Sequence, residues 1–287
     1  MNIQEEIKKY KIIFENYLND ILKNLPSGEL SETIKYSIRN GGKRLRPILM
    51  LITSDCFGVD LKKALPLACA LELVHCSSLV HDDLPCIDND DFRRGQLSCH
   101  KKFGEAEGVL CGDAMLNFAY EVVLNSFEDI NQIKALKLLA DYSGVNGMLG
   151  GQFLDVTCEK RNISSKEILY NIQLNKTSKL LTAPLVMASV LANELHFENL
   201  KSFGTNLGIA FQIADDILDV VGSQQNLGKS IGKDEQNGKL TSVSLYGLAQ
   251  AKKMVVEYTT KAIDAIKDIK ELNILSDFAK FLIDRDK

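Results

Sequence analysis

The sequence predicts an all-α protein that forms one domain over residues 1–287. Apolar residues recur at steps of three and four along most of the chain, as in the first segment, where Ile3, Ile7, Tyr10 and Phe14 share one helical face. No segment alternates between apolar and polar residues with a period of two, which is the pattern of a half-buried strand. The chain also lacks an internal repeat and a low-complexity linker. One bundle of roughly ten or more helices is therefore expected.

The predicted helices follow from start and stop signals taken in chain order. Pro26 and Gly28 end the first helix, and a short second helix stops at Gly41 and Gly42. A third helix begins at Arg46, where the proline that follows is tolerated in the first turn. The remaining predicted helices are Leu65–Asp83, Glu105–Ser126, Gln132–Tyr142, Val145–Val156, a run opened by a capping box of Ser164 and Glu167, Glu198–Val221, Val243–Ile269 and Leu272–Ile283.

Composition and charge argue against several classes of protein. The formal net charge of −4 disfavours nucleic acid as the main partner, because proteins that bind it carry clustered positive charge. Seven cysteines without a CxxC pair give neither a zinc signature nor a disulfide framework, so reduced thiols and a cytoplasmic location are expected. The N-terminal segment carries acids and lacks the apolar region of a signal peptide. The absence of a run of about eighteen apolar residues predicts no membrane span.

The most informative stretch is residues 75–95, HCSSLVHDDLPCIDNDDFRRG. Asp82 and Asp83 end a helix that is apolar on nearly all sides and is therefore expected at the centre of the core. Pro85 removes a backbone donor and clashes with the carbonyl one turn earlier, so the helix should deform there and turn Asp88 toward the first two carboxylates. A calcium loop would also explain the acids, but the glycine and the terminal glutamate of an EF-hand are missing.

A second acidic cluster, Asp215, Asp216 and Asp219, lies in the apolar run FQIADDILDVV. Its spacing of three and four residues places the carboxylates on one helical face, where like charges repel. Burial among the apolar flanks raises that cost, and divalent cations bound through carboxylate oxygens would remove it. Two such clusters with arginines and lysines nearby indicate a polyphosphate bridged by metal ions.

Two further segments add positive charge. The segment GGKRLRP places Lys43, Arg44 and Arg46 at a helix start, where backbone N–H groups also attract anions. A solvated basic loop is the alternative interpretation of that segment taken alone. The polar segment Gly222–Leu240 is too long for a simple connection, and loops of this length in compact domains tend to be functional lids.

These motifs resemble those of the trans-prenyl diphosphate synthases. DDLPCIDNDDFRRG is similar to the first aspartate-rich motif of that family in its bacterial form, FQIADDILD to the second motif, and GGKRLRP to the isopentenyl diphosphate site. The likeness covers essentially the whole chain, through CHKKFGEA, GDA, GGQFLD, the Lys176-Thr177 pair and the LGK…GKLTS loop, and it is nearest to bacterial farnesyl diphosphate synthases. It implies an all-α bundle around a central apolar cavity, the isoprenoid synthase-like fold, and a homodimer.

The resemblance also implies a role for each motif residue. Three Mg²⁺ ions, with Mn²⁺ as a substitute, would join carboxylates to the substrate diphosphates. The metal ligands would be Asp82, Asp83, Asp88, Asp215, Asp216 and Asp219. The allylic diphosphate would be held by Arg93, Lys176, Lys229 and Lys239, and isopentenyl diphosphate by Lys43, Arg46, His75 and Arg94. Thr177 and Gln212 would face the reacting carbons, whereas Gln152 and Asp155 match a family segment without an assigned direct role.

The implied reaction joins isopentenyl diphosphate head-to-tail to dimethylallyl or geranyl diphosphate and yields farnesyl diphosphate. Departure of diphosphate leaves an allylic cation, so the site must stabilise charge on the leaving group and must exclude water, which would capture the cation. The cation itself tolerates only weak dipoles and apolar walls. The released diphosphate is the expected proton acceptor, so the reaction requires no protein base.

Product length is expected to depend on Ser77 and Ser78, which lie five and four residues before Asp82 and about one helical turn deeper. Bacterial farnesyl synthases usually place an aromatic residue at the deeper position, so a small serine favours geranylgeranyl diphosphate as the alternative product. Other residues that could close the cavity are Leu73, Val74, Leu116 and Tyr120. A class I terpene cyclase and a non-catalytic partner subunit are the other classes, although the cyclases generally lack GGKRLRP and a non-catalytic subunit is expected to lose carboxylates.

Overall fold

The structure, a computed structural model, describes residues 2–161, 163–221 and 239–283, and in those ranges it is almost entirely helical. Its helices are α1 (Ile3–Lys23), α2 (Glu29–Arg39), α3 (Leu45–Cys56), α4 (Leu61–Asp82), α5 (Cys99–Phe103), α6 (Glu105–Leu124), α7 (Ile130–Ser143), α8 (Met148–Arg161), α9 (Lys166–Ile172), α10 (Lys179–Leu191), α11 (Phe197–Val221), α12 (Ser242–Tyr246), α13 (Leu248–Asp264) and α14 (Asn273–Ile283). A π-helical turn, Gln173–Ser178, joins α9 to α10, and a 3₁₀ turn, Lys270–Leu272, precedes α14. The all-α prediction is confirmed.

The core is organised around α4 and α10. Helix α4 is buried on most sides between Ala64 and Val80, and it packs against α3 and α6. Helix α10 is buried almost completely and packs against α3, α7 and α11. Most helices contribute apolar side chains to one large cluster, and a smaller cluster joins α11 to α13. Each fully buried leucine or isoleucine in them contributes about 1.5–3 kcal/mol. The acidic ends of α4 and α11 are thus attached to the most densely buried part of the molecule.

Helix α4 also bears on the membrane prediction. Among the described helices it alone is long and apolar enough to cross a membrane, but 72% of its most apolar window is buried inside the protein. A lipid-facing helix would expose that surface instead, so the burial identifies α4 as a core helix.

The π-helical turn that joins α9 to α10 carries Lys176 and Thr177. In this turn the Lys179 N–H donates to the Leu174 carbonyl, five residues back, instead of four. Such turns are uncommon and occur frequently at functional sites, because the extra residue changes the direction in which side chains leave the helix.

Two glycines allow neighbouring helices to pack directly on this turn. A Cβ atom at Gly151 of α8 would lie 2.2 Å from the Lys176 backbone nitrogen, and a Cβ atom at Gly208 of α11 would lie 2.4 Å from the Ser178 Cα atom. Real Cβ atoms do not approach backbone atoms so closely. The turn is therefore held between α8 and α11 by contacts that only glycine permits.

A two-residue ribbon differs from the sequence prediction, which contains no strand. Strand β1 (Phe92–Arg93) pairs with antiparallel β2 (Gln96–Leu97). Between them Arg94 and Gly95 have φ angles of 52° and 78°, the left-handed backbone of a tight hairpin. Strands of two residues are too short to show an alternating pattern, so the sequence offers no periodic signal for them.

Several helix boundaries also differ. Helix α4 begins at Leu61 instead of Leu65, and α8 spans Met148–Arg161 instead of the predicted Val145–Val156. The side chain that caps α9 is that of Ser165, not Ser164, and it accepts the Ile168 N–H at 3.1 Å. The single helix expected near the C-terminal end is divided into α12 and α13 by Gly247, whose φ angle is 78°. A left-handed residue cannot continue an α-helix, so the chain changes direction there.

Candidate active site

A cavity of about 700 Å³ lies among α4, α8, the π-helical turn, α11 and the residues that lead into α12. Its apolar lining includes Leu116, Met148, Leu149, Leu169, Ile172, Leu180 and Phe211. The carboxylates in its lining are Asp82, Asp88, Asp90, Asp155, Asp215, Asp216 and Asp219. Both acidic motifs therefore face one shared hollow that also has extensive apolar walls.

The first acidic motif lies where α4 ends. The helix stops at Asp82, and the chain turns so that the Asp88 N–H donates to the Asp82 carbonyl at 2.9 Å. The Asn89 N–H donates to the Leu84 carbonyl at 3.1 Å, and Asn89 has a φ angle of 50°. The deformation predicted at Pro85 is present, and it brings Asp88 back to the cavity that Asp82 lines.

Three carboxylates of this motif line the cavity, and two of them, Asp82 and Asp88, bond to side chains from other segments. Gln152 Nε2 donates to Asp82 Oδ1 at 2.8 Å, and Lys239 Nζ donates to Asp88 Oδ1 at 3.1 Å. Burial raises the pKa of Asp82 to about 6, an effect that the Lys176 ammonium opposes and the Asp88 carboxylate strengthens. Additional positive charge in the cavity would lower this pKa and favour the ionised form of Asp82.

Asp83 has a different environment. It is 2% exposed and is not part of the cavity lining. The Arg93 guanidinium holds it through Nε, at 3.0 Å from Oδ1 and 3.1 Å from Oδ2, and also through Nη2. The sequence groups Asp83 with Asp82, whereas the structure places Asp82 in the cavity lining and Asp83 in a buried pair outside that lining.

Lys176 projects from the π-helical turn into the cavity. Its Nζ atom donates to Asp155 Oδ2 at 2.5 Å. Burial alone would lower the pKa of Lys176, but the Asp155 and Asp82 carboxylates outweigh burial and raise it, so the ammonium stays charged. Gln152 and Asp155, to which sequence reasoning assigns no direct role, thus contact Asp82 and Lys176. Their spacing of three residues, which gives one helical face, is the signal that could have identified them.

The second acidic motif belongs to a continuous helix. Asp215, Asp216 and Asp219 all line the cavity from α11. Asp216 is 5% exposed, and its Oδ1 accepts Gln212 Nε2 at 2.9 Å while its Oδ2 accepts the Ser242 N–H at 2.8 Å. Both oxygens of Asp216 thus have hydrogen-bond donors within the protein.

Thr177 and Gln212 are in direct contact at the cavity. Thr177 Oγ1 donates to Gln212 Oε1 at 2.6 Å, and both residues line the cavity. Gln212 Nε2 donates to Asp216, so hydrogen bonds at both its oxygen and its nitrogen fix the orientation of the Gln212 amide.

A cationic group lies on the α3 side of the cavity. Arg46 Nη1 lies 3.3 Å from His75 Nε2, and both residues line the cavity with Arg94. Burial, followed by the charges of Arg46 and Arg94, lowers the pKa of His75 well below its usual range, so its imidazole is neutral at pH 7. The Arg94 guanidinium donates to the Gly41 carbonyl and thereby links this group to the GGKRLRP segment.

The basic residues of that segment separate into different environments. Lys43 is exposed and outside the cavity lining. Arg44, grouped with them by sequence, is 3% exposed and bonds to Glu72 Oε1 and Glu15 Oε1, each at 2.9 Å, and to the Ile38 carbonyl. The expectation that Arg44 would contribute to an anion site is wrong for this structure, because each of its three guanidinium nitrogens bonds to a group of α1, α2 or α4.

The remaining predicted residues are only partly placed. Arg93 and Lys239 line the cavity, whereas Lys229 and most of the predicted lid Gly222–Leu240 fall outside the described residues. Ser77 and Ser78 line the cavity one turn before the acidic end of α4. Of the other residues considered for closing the cavity, Leu116 is in the lining and Leu73, Val74 and Tyr120 are not.

The donor set suits a hard divalent cation. Carboxylate oxygens from two helices face one hollow, and Gln152 Oε1 and Arg46 Nε are buried there without a hydrogen-bond partner among the described residues. The same part of the chain contains no group of three histidine, cysteine or acidic side chains close enough to hold an ion alone. Magnesium, which usually takes one or two carboxylates and completes its shell with water and phosphate oxygens, fits such an arrangement.

Comparisons with known proteins agree with this geometry. A family model described as polyprenyl synthetase matches residues 27–274. The chain is 41% identical to a farnesyl diphosphate synthase of Micrococcus luteus, over 96% of each chain, and 35% identical to a geranylgeranyl diphosphate synthase of Cyanophora paradoxa, over 99% of this chain and 97% of that relative. The crystal structure of a geranyltransferase from Helicobacter pylori, complexed with magnesium and isoprenyl diphosphate, superposes with a TM-score of 0.84 at 30% identity, covering 98% of this chain and 97% of that one.

Proposed function

The chain belongs to the polyprenyl synthetase family, and from this membership we propose that it is a short-chain trans-prenyl diphosphate synthase whose product is farnesyl diphosphate. The reaction condenses isopentenyl diphosphate head-to-tail with dimethylallyl or geranyl diphosphate. One observation carries the proposal: the two acidic motifs, far apart in sequence, line the same cavity with apolar walls large enough for a prenyl chain. The acidic motifs suit the metal-bound diphosphate of a prenyl substrate, and the apolar walls suit its hydrocarbon tail.

Magnesium is the expected cofactor, as in the related structure that is complexed with it. The residues that would hold it are Asp82 and Asp88 on one side and Asp215 and Asp219 on the other, and Asp83 could join them only by exchanging its ion pair with Arg93. When bound, the metal supplies positive charge that neutralises the leaving diphosphate. We extend the proposal to three ions in the site, with Mn²⁺ as a substitute metal.

The cationic side chains divide between the two substrates. Arg93, Lys176 and Lys239 are near the acidic motifs and would hold the allylic diphosphate, together with Lys229. Arg46, His75 and Arg94 form the second cationic group and would hold isopentenyl diphosphate, with Lys43 at its edge. The Nε atom of Arg46, which has no hydrogen-bond partner in the part of the chain that the structure describes, supports this assignment, because a buried guanidinium N–H requires an acceptor.

The chain's own residues explain how the cation survives until it reacts. The Thr177–Gln212 pair presents oxygen dipoles that stabilise positive charge but, being neutral and hydrogen-bonded, do not capture it. The apolar lining excludes water from the same space. Fixed cations on the diphosphate side stabilise the negative charge that develops on the leaving group, and the released diphosphate then takes the proton from the condensation product.

Geranylgeranyl diphosphate is a second candidate product, because Ser77 and Ser78 are small and line the cavity. Replacing Ser77 with phenylalanine should shorten the product, since the added ring would fill the space next to α4. The measurement is the chain length of the products formed from labelled isopentenyl diphosphate. Ser77→Ala is the matched control and should leave chain length unchanged; an unchanged length in Ser77→Phe would reject Ser77 as a length-determining residue.

We also propose a single domain, a homodimer and a cytoplasmic location. Large apolar side chains are exposed on α6, where Leu110 is 59% exposed, and on and before α8, where Val145 and Phe153 are 87% and 75% exposed. Exposed apolar surface of this kind is typical of protein interfaces. The cysteines form no disulfide in the described residues, which suits a reducing compartment.

One incubation tests the proposed function. The purified protein is supplied with labelled isopentenyl diphosphate, Mg²⁺ and either dimethylallyl, geranyl or farnesyl diphosphate, and the products are sized. Fifteen-carbon product from the first two starters is expected, with loss of turnover under exhaustive chelation. Cyclised hydrocarbon from farnesyl diphosphate alone would favour a terpene cyclase, and inactivity with every starter would favour a non-catalytic subunit.

A further inference from the structure

Two buried polar residues have no part in the function proposed above. Gln173, in the π-helical turn, is 3% exposed, and Ser242, the first residue of α12, is fully buried. Gln173 Nε2 donates to Ser242 Oγ at 2.7 Å. A buried amide and a buried hydroxyl are both costly unless they are hydrogen-bonded, so this contact decides whether α12 can sit against the turn.

The contact continues into the second acidic motif. The Ser242 N–H donates to Asp216 Oδ2 at 2.8 Å, and Asp216 Oδ1 accepts Gln212 Nε2 at 2.9 Å. Gln212 Oε1 in turn accepts Thr177 Oγ1 at 2.6 Å. Because Gln173 and Thr177 belong to the same π-helical turn, the hydrogen bonds close a ring that joins three segments of the chain.

The ring also fixes the backbone that leads to Lys239. Ser242 lies three residues after Lys239, a distance of at most about 11 Å along extended chain. The Lys239 Nζ atom lies 3.1 Å from Asp88 Oδ1, in the first acidic motif. A residue that fixes Ser242 therefore limits where the Lys239 ammonium can reach on the opposite side of the cavity.

We propose that Gln173 and Ser242 are positioning residues of the active site. Through their shared hydrogen bond they hold the Asp216–Gln212 pair in its orientation and hold Lys239 at the position of the allylic diphosphate. The inference rests on the proposed function, because it assigns these contacts to the allylic half of the site. Isopentenyl diphosphate, held by the separate group around Arg46, does not depend on them.

The test removes the hydrogen bond from each end. Gln173→Met keeps the length of the side chain without its amide, and Ser242→Ala removes one hydroxyl while keeping the N–H that bonds to Asp216. A buried hydrogen bond contributes about 0.5–1.5 kcal/mol, so each variant should lower kcat/KM for geranyl diphosphate by about 3–10-fold. The KM for isopentenyl diphosphate should change less than about twofold, and the double variant should lose no more than either single one.

Gln132→Met is the matched control. Gln132 is also a fully buried glutamine, but its side chain bonds to the Glu128 N–H at 2.7 Å and to the Lys63 carbonyl at 3.1 Å, away from the cavity lining. This variant should lower Tm without a selective loss of kcat/KM for geranyl diphosphate relative to isopentenyl diphosphate.

The possible outcomes are distinct. A selective loss for geranyl diphosphate in both single variants supports the positioning role. Unchanged constants, or an equal loss for both substrates, overturn it while the wild-type activity leaves the proposed function intact. If the wild-type protein itself does not condense the substrates, the proposed function fails instead. Should Gln173→Met not fold, Ser242→Ala decides the matter, because it removes a single hydroxyl group.

Discussion

The two acidic motifs reach one cavity by different backbone routes. In the first motif, the helix ends at Asp82, and the chain reverses so that the Asp88 N–H donates to the Asp82 carbonyl. This reversal brings the Asp88 carboxylate back to the cavity. In the second, α11 continues without interruption, and helical spacing alone places Asp215 and Asp219 one turn apart. The first motif therefore depends on the conformation of a loop, and the second depends on the packing of a helix. Substitutions should affect them in correspondingly different ways.

The largest expected effect is common to both motifs. Asp82→Asn and Asp215→Asn should each lower kcat by about 10²–10³-fold, because each removes a carboxylate that would hold the metal ion whose positive charge neutralises the leaving diphosphate. The measurement is steady-state turnover at saturating Mg²⁺. Asp141→Asn, which alters an exposed pair with Lys137, is the control and should keep wild-type turnover. Near-normal activity in only one of the two variants would mean that the two motifs do not contribute equally to catalysis.

Asp83, unlike its neighbour Asp82, should contribute mainly to the stability of the fold. Asp83→Asn removes the nearest counter-charge of the buried Arg93 guanidinium, leaving Asp90 Oδ2 at 3.7 Å, and should lower the free energy of unfolding by about 3 kcal/mol. Asp91→Asn alters the exposed pair with Lys101 and should cost less than about 1 kcal/mol. Urea denaturation of both variants measures the difference. Equal costs would contradict the view that Asp83 belongs to a buried structural pair.

The loop dependence of the first motif can be tested at one backbone position. Asn89→Val places a β-branched residue at a φ angle of 50° and should lower the free energy of unfolding by about 1–2 kcal/mol. The matched control in the second motif's helix is Asn206→Val, a partly exposed position on α11 where the helix propensities of the two residues are similar. The variants are compared by urea denaturation, and a larger cost at position 206 would reverse the comparison.

The smallest expected effect is a dependence on pH in the metal-free protein. Burial raises the pKa of Asp82 to about 6, above its value in the unfolded chain, so the folded state binds more protons between about pH 4 and pH 6 and loses stability as the pH rises through that range. Asp82→Asn cannot lose this proton. Its Tm relative to that of the wild type should therefore increase from pH 4 to pH 6 in the presence of a chelator, and a constant difference would contradict the burial of the ionised carboxylate.

The sequence predicts the second motif better than the first. The bounds of α11 differ by one residue from the predicted Glu198–Val221, because a long apolar run with helical spacing determines both ends. At the first motif the proline break is predictable, but the pairing of Asp83 with Arg93 is not. It depends on the hairpin between β1 and β2, whose strands are too short to leave a periodic signal.

Contacts between distant segments explain the other differences. Arg44 follows Lys43 in a basic segment, yet its environment is set by Glu72 of α4 and Glu15 of α1, which no local pattern connects to it. The roles of Gln173 and Ser242 likewise depend on the approach of α12 to the π-helical turn. Residue types and spacing predict which chemistry the chain can perform, whereas these long-range pairs determine which members of each motif reach the cavity.

Because of the π-helical turn, the number of residues between α9 and α10 determines where the side chains of this segment point. Deleting one residue from Gln173–Ser178 would allow ordinary α-helical hydrogen bonding through the segment. The side chains around the deletion would then rotate by about 100° relative to one flanking helix, and Lys176 and Thr177 would no longer point together into the cavity. A homologue that retains every motif residue but is one residue shorter here should keep the bundle and lose turnover, a difference that an inventory of motifs would overlook.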